Sequence, residues 1–171
     1  QFQNILQEGF QLPGGVWAER LSGGRSEYAY WRRTVCQSCE AFLSYFKGLF
    51  DDALARGADG VWVDNTYLKP CRCEGCAAAF KQYLETHAAV LREGILRKGF
   101  DHVELPPDDA LRNTGDPIVN AFVEFNCARN LSIHRTLKHH LESRSPMGLY
   151  ASNPTLYRPD SPWAKGVDLF G

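Results

Sequence analysis

Cys71, Cys73 and Cys76 form a C-x-C-x-x-C run. Thiolates separated by one and two residues can converge on one ion, because the intervening turn exposes backbone amides toward the sulfurs. Zinc favours four such ligands in a tetrahedron. The fourth has to come from elsewhere in the chain, and Cys36 or Cys39 is the nearest supply. The competing interpretation is a set of free buried thiols or a disulfide pair, but three cysteines in six residues favour a metal. Four thiolates would leave no open coordination position, so the ion would be structural and would clamp its loop. Cys127 lies among Phe125 and Leu131 and reads as a small core residue.

The second chemical feature is a carboxylate. Asp64 ends the β-rich run Val61-Trp62-Val63 and is followed by Asn65, Thr66 and Tyr67. At the C-terminal end of a barrel strand, such a residue projects where a nucleophile, an acid/base or a sugar-hydroxyl ligand belongs. It can equally cap the next loop or pair with a Lys or Arg. Asn153 ends a second strand-like run, Gly148 to Ser152. Its amide can donate to and accept from a sugar hydroxyl, although Ser-Asn-Pro is also a common turn sequence. Tyr67, Tyr157 and Trp163 can offer stacking faces or simply pack a rim. His139-His140 read as a solvated surface, and Asp59 as a turn residue.

The elements that must position these groups follow from periodicity. Residues 1–34 carry Gly and aromatics without sustained period and read as mostly loop. From about Cys39 to Arg56, Phe42, Leu43, Phe46, Leu49, Phe50, Ala53 and Leu54 recur at three- and four-residue steps. That is the stripe of an amphipathic helix, with Gly57 as its stop. Val61 to Val63 reads as a short buried strand. Helical patterns follow over Cys76 to about Leu84 and about Ala88 to Lys98, then a polar, Pro-containing loop over Gly99 to Asp116. Asp116-Pro117 starts a long helix, Asp as N-cap and Pro at the first position, which ends near Ser145-Pro146. Gly148 to Ser152 and Val167 to Phe170 supply two more strands.

This βα alternation predicts an α/β fold with parallel strands and helical crossovers, either a doubly wound sheet or a slice of a (β/α)₈ barrel. No Gly-rich phosphate fingerprint follows a strand, and the strands end in polar residues instead, which favours the barrel. Three strands cannot close one. The chain therefore reads as a fragment, about half of a TIM barrel, with residues 35–171 forming the βα units of one partial domain over 1–171.

At 171 residues, 44% hydrophobic and with formal charge −1, the composition suits one domain with a substantial core. It carries no electrostatic footprint for nucleic acid, and no apolar run approaches the ~20 residues of a membrane span. Neither partner is expected. Reduced thiolates or bound zinc fit a cytoplasmic protein better than an oxidising compartment.

Cys36 before a helix, "GVWVDNTY", "CRCEGCAAAFKQYL" and "SRSPMGLYASNP" together resemble the (β/α)₈ catalytic domain of glycoside hydrolase family 42 β-galactosidases and of related glycoside-hydrolase-like barrels. The likeness covers about Val35 to Phe170. It implies that Cys36, rather than Cys39, completes a structural zinc site with Cys71, Cys73 and Cys76. It also implies hydrolysis of O-glycosidic bonds, with a carbohydrate substrate and room for a homo-oligomer in the full-length protein. Family 42 carries Asn-Glu-Tyr at this strand end, the Glu being the general acid/base, where this chain has Asn65-Thr66-Tyr67. A Thr hydroxyl cannot protonate a glycosidic oxygen as a carboxylic acid of raised pKa does. The related barrels often read Asp-Asn without that Glu, which makes Asp64 the candidate catalytic carboxylate and Asn65, Tyr67 and Asn153 candidate substrate ligands. The alternatives are a carbohydrate-binding barrel without catalysis, and a zinc-stabilised structural module.

Overall fold

Phe42, Phe46 and Phe50 are spaced four apart and bury one face of helix α1 (Glu40–Ala55) in the computed structural model. The structure describes residues 5–7, 27–29, 32–63, 71–87, 103–107, 109–113 and 115–152. Helix α1 ends where the stripe ends. The amides of Arg56 and Gly57 cap its last carbonyls, and Gly57 takes φ of 87°, a left-handed conformation open to glycine at little cost.

The chain then enters β4 (Gly60–Val63), which pairs in parallel with β5 (Leu149–Ser152) from Gly60↔Leu149 to Val63↔Ser152. The strands approach so closely at their start that a Cβ on Gly60 would lie 2.2 Å from the Leu149 carbonyl oxygen. Only glycine fits there without moving the pair. Val61 and Val63 on one strand and Tyr150 on the other pack against the helices, while Trp62 is 69% and Leu149 70% exposed. The expected buried strand is thus covered on one face among the described residues.

Between these strands run α2 (Glu74–His87), a 3₁₀ turn (Asp109–Arg112) and α3 (Pro117–Arg144). Helix α2 starts before the expected Cys76 and runs past Leu84. The 3₁₀ turn falls within the stretch that periodicity reads as loop. The second helical pattern, Ala88 to Lys98, lies outside the described residues, as does Val167 to Phe170. Asp116 caps α3 from outside: its Oδ1 accepts from the Ile118 amide at 2.8 Å and the Val119 amide at 3.4 Å. Pro117 takes the first position, where a missing N–H costs nothing.

Helix α3 changes character along its length. In its first half Val119, Ala121, Phe122, Val123, Phe125 and Asn126 are buried, and in its second half a narrower stripe of Ile133, His134, Leu137 and Leu141. The first half packs with Phe80 and Leu84 of α2 and with Leu111. Its aromatics meet at ring centroid distances of 5.1 Å for Phe80–Phe122 and 5.3 Å for Phe80–Phe125. The second half packs on α1 and β5 in a separate cluster that contains Phe42, Phe46, Phe50 and Tyr150. Inside that cluster His134 Nδ1 shares a hydrogen bond of 2.5 Å with the Tyr150 hydroxyl, and burial pushes the Tyr150 pKa up. His139 and His140 differ: His139 is 90% exposed, whereas the His140 side chain is 15% exposed and meets Asp51 of α1 at 2.9 Å. Only His139 is the solvated residue expected from the sequence. His140 ties α3 to α1, and Arg144 reaches the same Asp51 oxygen at 3.5 Å.

Three short strands near the start, β1 (Ile5–Gln7), β2 (Glu27–Ala29) and β3 (Arg32–Thr34), form an antiparallel sheet in the order β1-β3-β2. No period in residues 1–34 announces them, because three-residue strands are too short to carry an alternation. The described residues thus form an α/β arrangement with a two-stranded parallel sheet.

Candidate metal centre

Cys36 and the run from Cys71 to Cys76 are brought together by the two helices that follow them. Cys36 lies in the turn leading into α1, whose first carbonyl partner is Cys36 O, bonded by the Cys39 amide at 3.2 Å. Cys71 and Cys73 precede α2, and Cys76 sits in its first turn. Phe80 and Leu84 bury the inner face of α2 against α3 and so direct Cys76 inward with them, one turn earlier on the same side. The four sulfurs lie within 4.8 Å of one another, and all four side chains are buried. The Cys36–Cys76 sulfur distance is 3.4 Å and the Cys36–Cys73 distance 3.9 Å.

These distances suit one ion. Tetrahedral zinc–thiolate bonds of about 2.3 Å set neighbouring sulfurs about 3.8 Å apart, within the spread observed here. A multinuclear iron–sulfur cluster places its thiolates on separate irons and needs them further apart. None of the four is disulfide-bonded. Four buried cysteines this close can hold a metal ion. Cys39 is half-buried and does not join the group, although it lines the same groove beside it.

Without a metal, the Cys36 and Cys76 thiols are held in their neutral form. Hydrogen bonds with Cys71 and Cys76, then burial, push Cys36 far above the ordinary thiol value. The hydrogen bond from Cys36 pulls Cys76 down, but the one with Cys71 and burial outweigh it and push the thiol up to about 12. Four adjacent sulfurs away from water cannot all ionise unless a cation joins them, and a bound divalent ion inverts this preference outright.

Two arginines frame the cluster. Arg72, buried between Cys71 and Cys73, donates from Nε and Nη2 to the Pro106 carbonyl at 3.1 Å and 2.7 Å, with its guanidinium 5.5 Å from the Phe122 ring centre. The cysteine run is thereby fastened to segment 103–107 and to α3. Arg129 of α3 lies on the other side. Its Nε donates to Ser38 Oγ at 2.8 Å, its Nη1 donates to Asn126 Oδ1 at 3.4 Å, and its guanidinium covers Phe125 at 5.0 Å. Neither arginine belongs to a motif. Arg72 had a local signal in lying between two candidate ligands, whereas Arg129 and Ser38 are 91 residues apart and share no pattern along the chain.

Of the remaining site residues proposed from sequence, Asp64, Asn65, Tyr67 and Asn153 lie outside the described residues, with Thr66, Tyr157 and Trp163. Their neighbours are described: Val63 and Ser152 pair across the parallel strands. Cys127 is half-buried on α3. Among the described residues no helix is long and apolar enough to cross a membrane. Comparison of the chain with protein-family models, with curated proteins and with solved structures gave no match.

Proposed function

We propose that Cys36, Cys71, Cys73 and Cys76 bind one zinc ion, which acts as a structural clamp in a glycoside-hydrolase-like α/β barrel. The single observation that carries the metal half is the convergence of the four buried sulfurs within 4.8 Å. An all-sulfur tetrahedron is the donor set of zinc or mononuclear iron, and zinc needs no redox partner to stay bound. With four protein ligands the ion has no position for water or substrate, so its contribution is to folding. It joins the entrance of α1 to the entrance of α2.

The carbohydrate half rests on the sequence resemblance and on topology. Asp64 follows Val63 directly and Asn153 follows Ser152, and those two strand ends are paired in parallel. Adjacent parallel strand ends are where ligands bind in α/β folds. The exposed face carrying Trp62 and Leu149 is of the kind that a larger parallel sheet covers, since such sheets are normally buried on both sides. In this reading Asp64 is the catalytic carboxylate, and Asn65, Tyr67 and Asn153 hold sugar hydroxyls. Thr66, at the position where the β-galactosidases carry their acid, favours a second reading: a barrel that binds carbohydrate without cleaving it.

The two halves are tested separately. Purified protein should contain one zinc per chain, and a metal content near zero after expression in zinc-supplemented medium would refute the clamp. For the sugar half, the protein should release sugar from a chromogenic glycoside panel that includes β-galactosides, and Asp64→Asn should lower turnover by orders of magnitude. Sugar binding by calorimetry with no release after prolonged incubation would establish the non-catalytic reading. Unchanged turnover in Asp64→Asn would remove Asp64 from the mechanism.

A further inference from the structure

A groove of about 510 Å³ opens beside the cysteine cluster, and Cys36, Cys73, Cys76, Ser38 and Arg129 all contribute to its wall. Among the described residues, Arg129 Nη2 is a buried side-chain nitrogen that has no hydrogen-bond partner. Buried guanidinium nitrogens are rarely left so, because desolvating a cationic donor without a partner costs more than a typical hydrogen bond contributes. The rest of the side chain is already committed. Nε is fixed on Ser38, Nη1 on Asn126, and the planar face on Phe125. Asn126 is itself buried and is fixed in turn, donating from Nδ2 to the Phe122 carbonyl at 2.7 Å. The guanidinium is therefore held in one orientation with its Nη2 unused, in the wall that it shares with three of the four sulfurs.

Tetrathiolate coordination of a divalent ion leaves excess negative charge in buried surroundings, and such charge has to be balanced by nearby donors. Part of the balance is backbone: the Cys73 amide lies 3.5 Å from Cys71 Sγ, and the positive end of α2 begins at Glu74 beside the ligands. The positive charge of Arg129 acts on Cys76 in the same sense, favouring its thiolate. Among the described residues Arg72 is a second nearby cation, and two of its nitrogens are directed at the Pro106 carbonyl.

We propose that Arg129 is a positioning residue of the metal centre, whose free Nη2 donates to the coordinating thiolates at Cys76 and neutralises part of the charge of the loaded site. The inference rests on the metal reading of the four cysteines. It makes α3 a participant in metal binding, because the residue that completes the centre's electrostatics is mounted 53 residues downstream of the Cys76 ligand. Ser38, two residues after Cys36, then serves as the bracket that aims the guanidinium.

The test uses the full chain with zinc and, separately, with cobalt(II), whose thiolate charge-transfer absorption reports directly on the sulfurs. Arg129→Met keeps an unbranched stem over Phe125 but removes the donor. It should bind zinc about 10- to 100-fold more weakly in competition with a chromophoric chelator, the usual consequence of losing a partner of a metal ligand. Its cobalt band should move to lower energy, because a thiolate that loses a donated hydrogen bond is a better electron donor. Arg129→Lys should recover part of the affinity. Ser38→Ala, which leaves the guanidinium present but unaimed, should show a smaller loss in the same direction. Arg135→Met, which removes an exposed charge from the same helix, should change nothing. Equal zinc affinity and an unshifted cobalt band in Arg129→Met would overturn this role while leaving the clamp intact. If Arg129→Met does not fold, wild-type values in both Arg129→Lys and Ser38→Ala overturn it. A wild-type chain that binds neither metal overturns both this role and the clamp.

Discussion

If zinc joins the four thiolates, removing it should release two chain segments that no disulfide links among the described residues. Cys36 and Cys73 are 37 residues apart in sequence and their sulfurs are 3.9 Å apart, so an ion bound to both closes a loop of that length. Treating the ion as a cross-link, loop-closure entropy for about 37 residues corresponds to roughly 4 kcal/mol at 25 °C. In a chain of this size each kcal/mol moves the melting midpoint by about 2–4 °C, so the shift on stripping the metal should be roughly 8–16 °C. The measurement is a pair of thermal unfolding curves, zinc-loaded and after dialysis against a strong chelator, with excess zinc restored to show reversal. Cys71→Ser, which takes one sulfur from a fully buried position, should melt with the stripped wild type and be indifferent to chelator. A protein that carries one zinc per chain yet melts at the same temperature with and without it would refute the reasoning, because the cysteine run would then be held equally well by Arg72 and the packing of α2.

Other outcomes follow from particular residues. Cys36→Ser should abolish stoichiometric zinc binding, whereas Cys39→Ser should retain one zinc per chain, because Cys39 lies outside the group of converging sulfurs; metal analysis of the two variants decides it. In the metal-free protein Cys76 is raised from 9.0 to about 12, so the fold holds that proton more tightly than the unfolded chain does. The stability from this thiol is complete below about pH 9 and declines as pH rises toward about 12, so denaturant midpoints of the stripped protein should fall over that window. Zinc-loaded protein, with its thiols already deprotonated, should lack this decline and should instead lose metal as pH falls. Gly60→Val should lower stability by about 1–3 kcal/mol in urea unfolding, since any Cβ there meets the Leu149 backbone and the β4–β5 pair must shift; an unchanged midpoint would mean that the strands part without cost.

Much of the α/β framework was legible because its signals are local. The Phe42, Phe46 and Phe50 spacing marks α1, Gly57 its end, and Asp116-Pro117 the start of α3, each within one or two turns of the residue it controls. Parallel pairing of β4 with β5 followed from the helices between them, since a direct hairpin was excluded. The features that leave no local signal are either too short or too distant along the chain. Strands β1 to β3 have three residues each, less than two periods of alternation. The division of α3 into two packing regimes depends on which neighbours flank each half. His140 looked like His139 in sequence, and only the position of Asp51 on α1 distinguishes them.

The candidate metal centre divides in the same way. C-x-C-x-x-C is a local pattern, and the sequence by itself determined that three thiols would be close together, because six consecutive residues leave them little choice. It determined equally that a carboxylate and two amides stand at the ends of strand-like runs. Which distant cysteine joins the three, Cys36 or Cys39, was decided by how α1 and α2 pack on α3. A difference of three residues at the entrance of α1 turns one sulfur into the cluster and leaves the other in the groove wall. The same packing brought Arg129 beside Cys76 and left one of its nitrogens without a partner among the described residues. Ligand type is a property of residues, but coordination depends on angles and distances between segments, and those exist only once the helices have buried their aromatic faces.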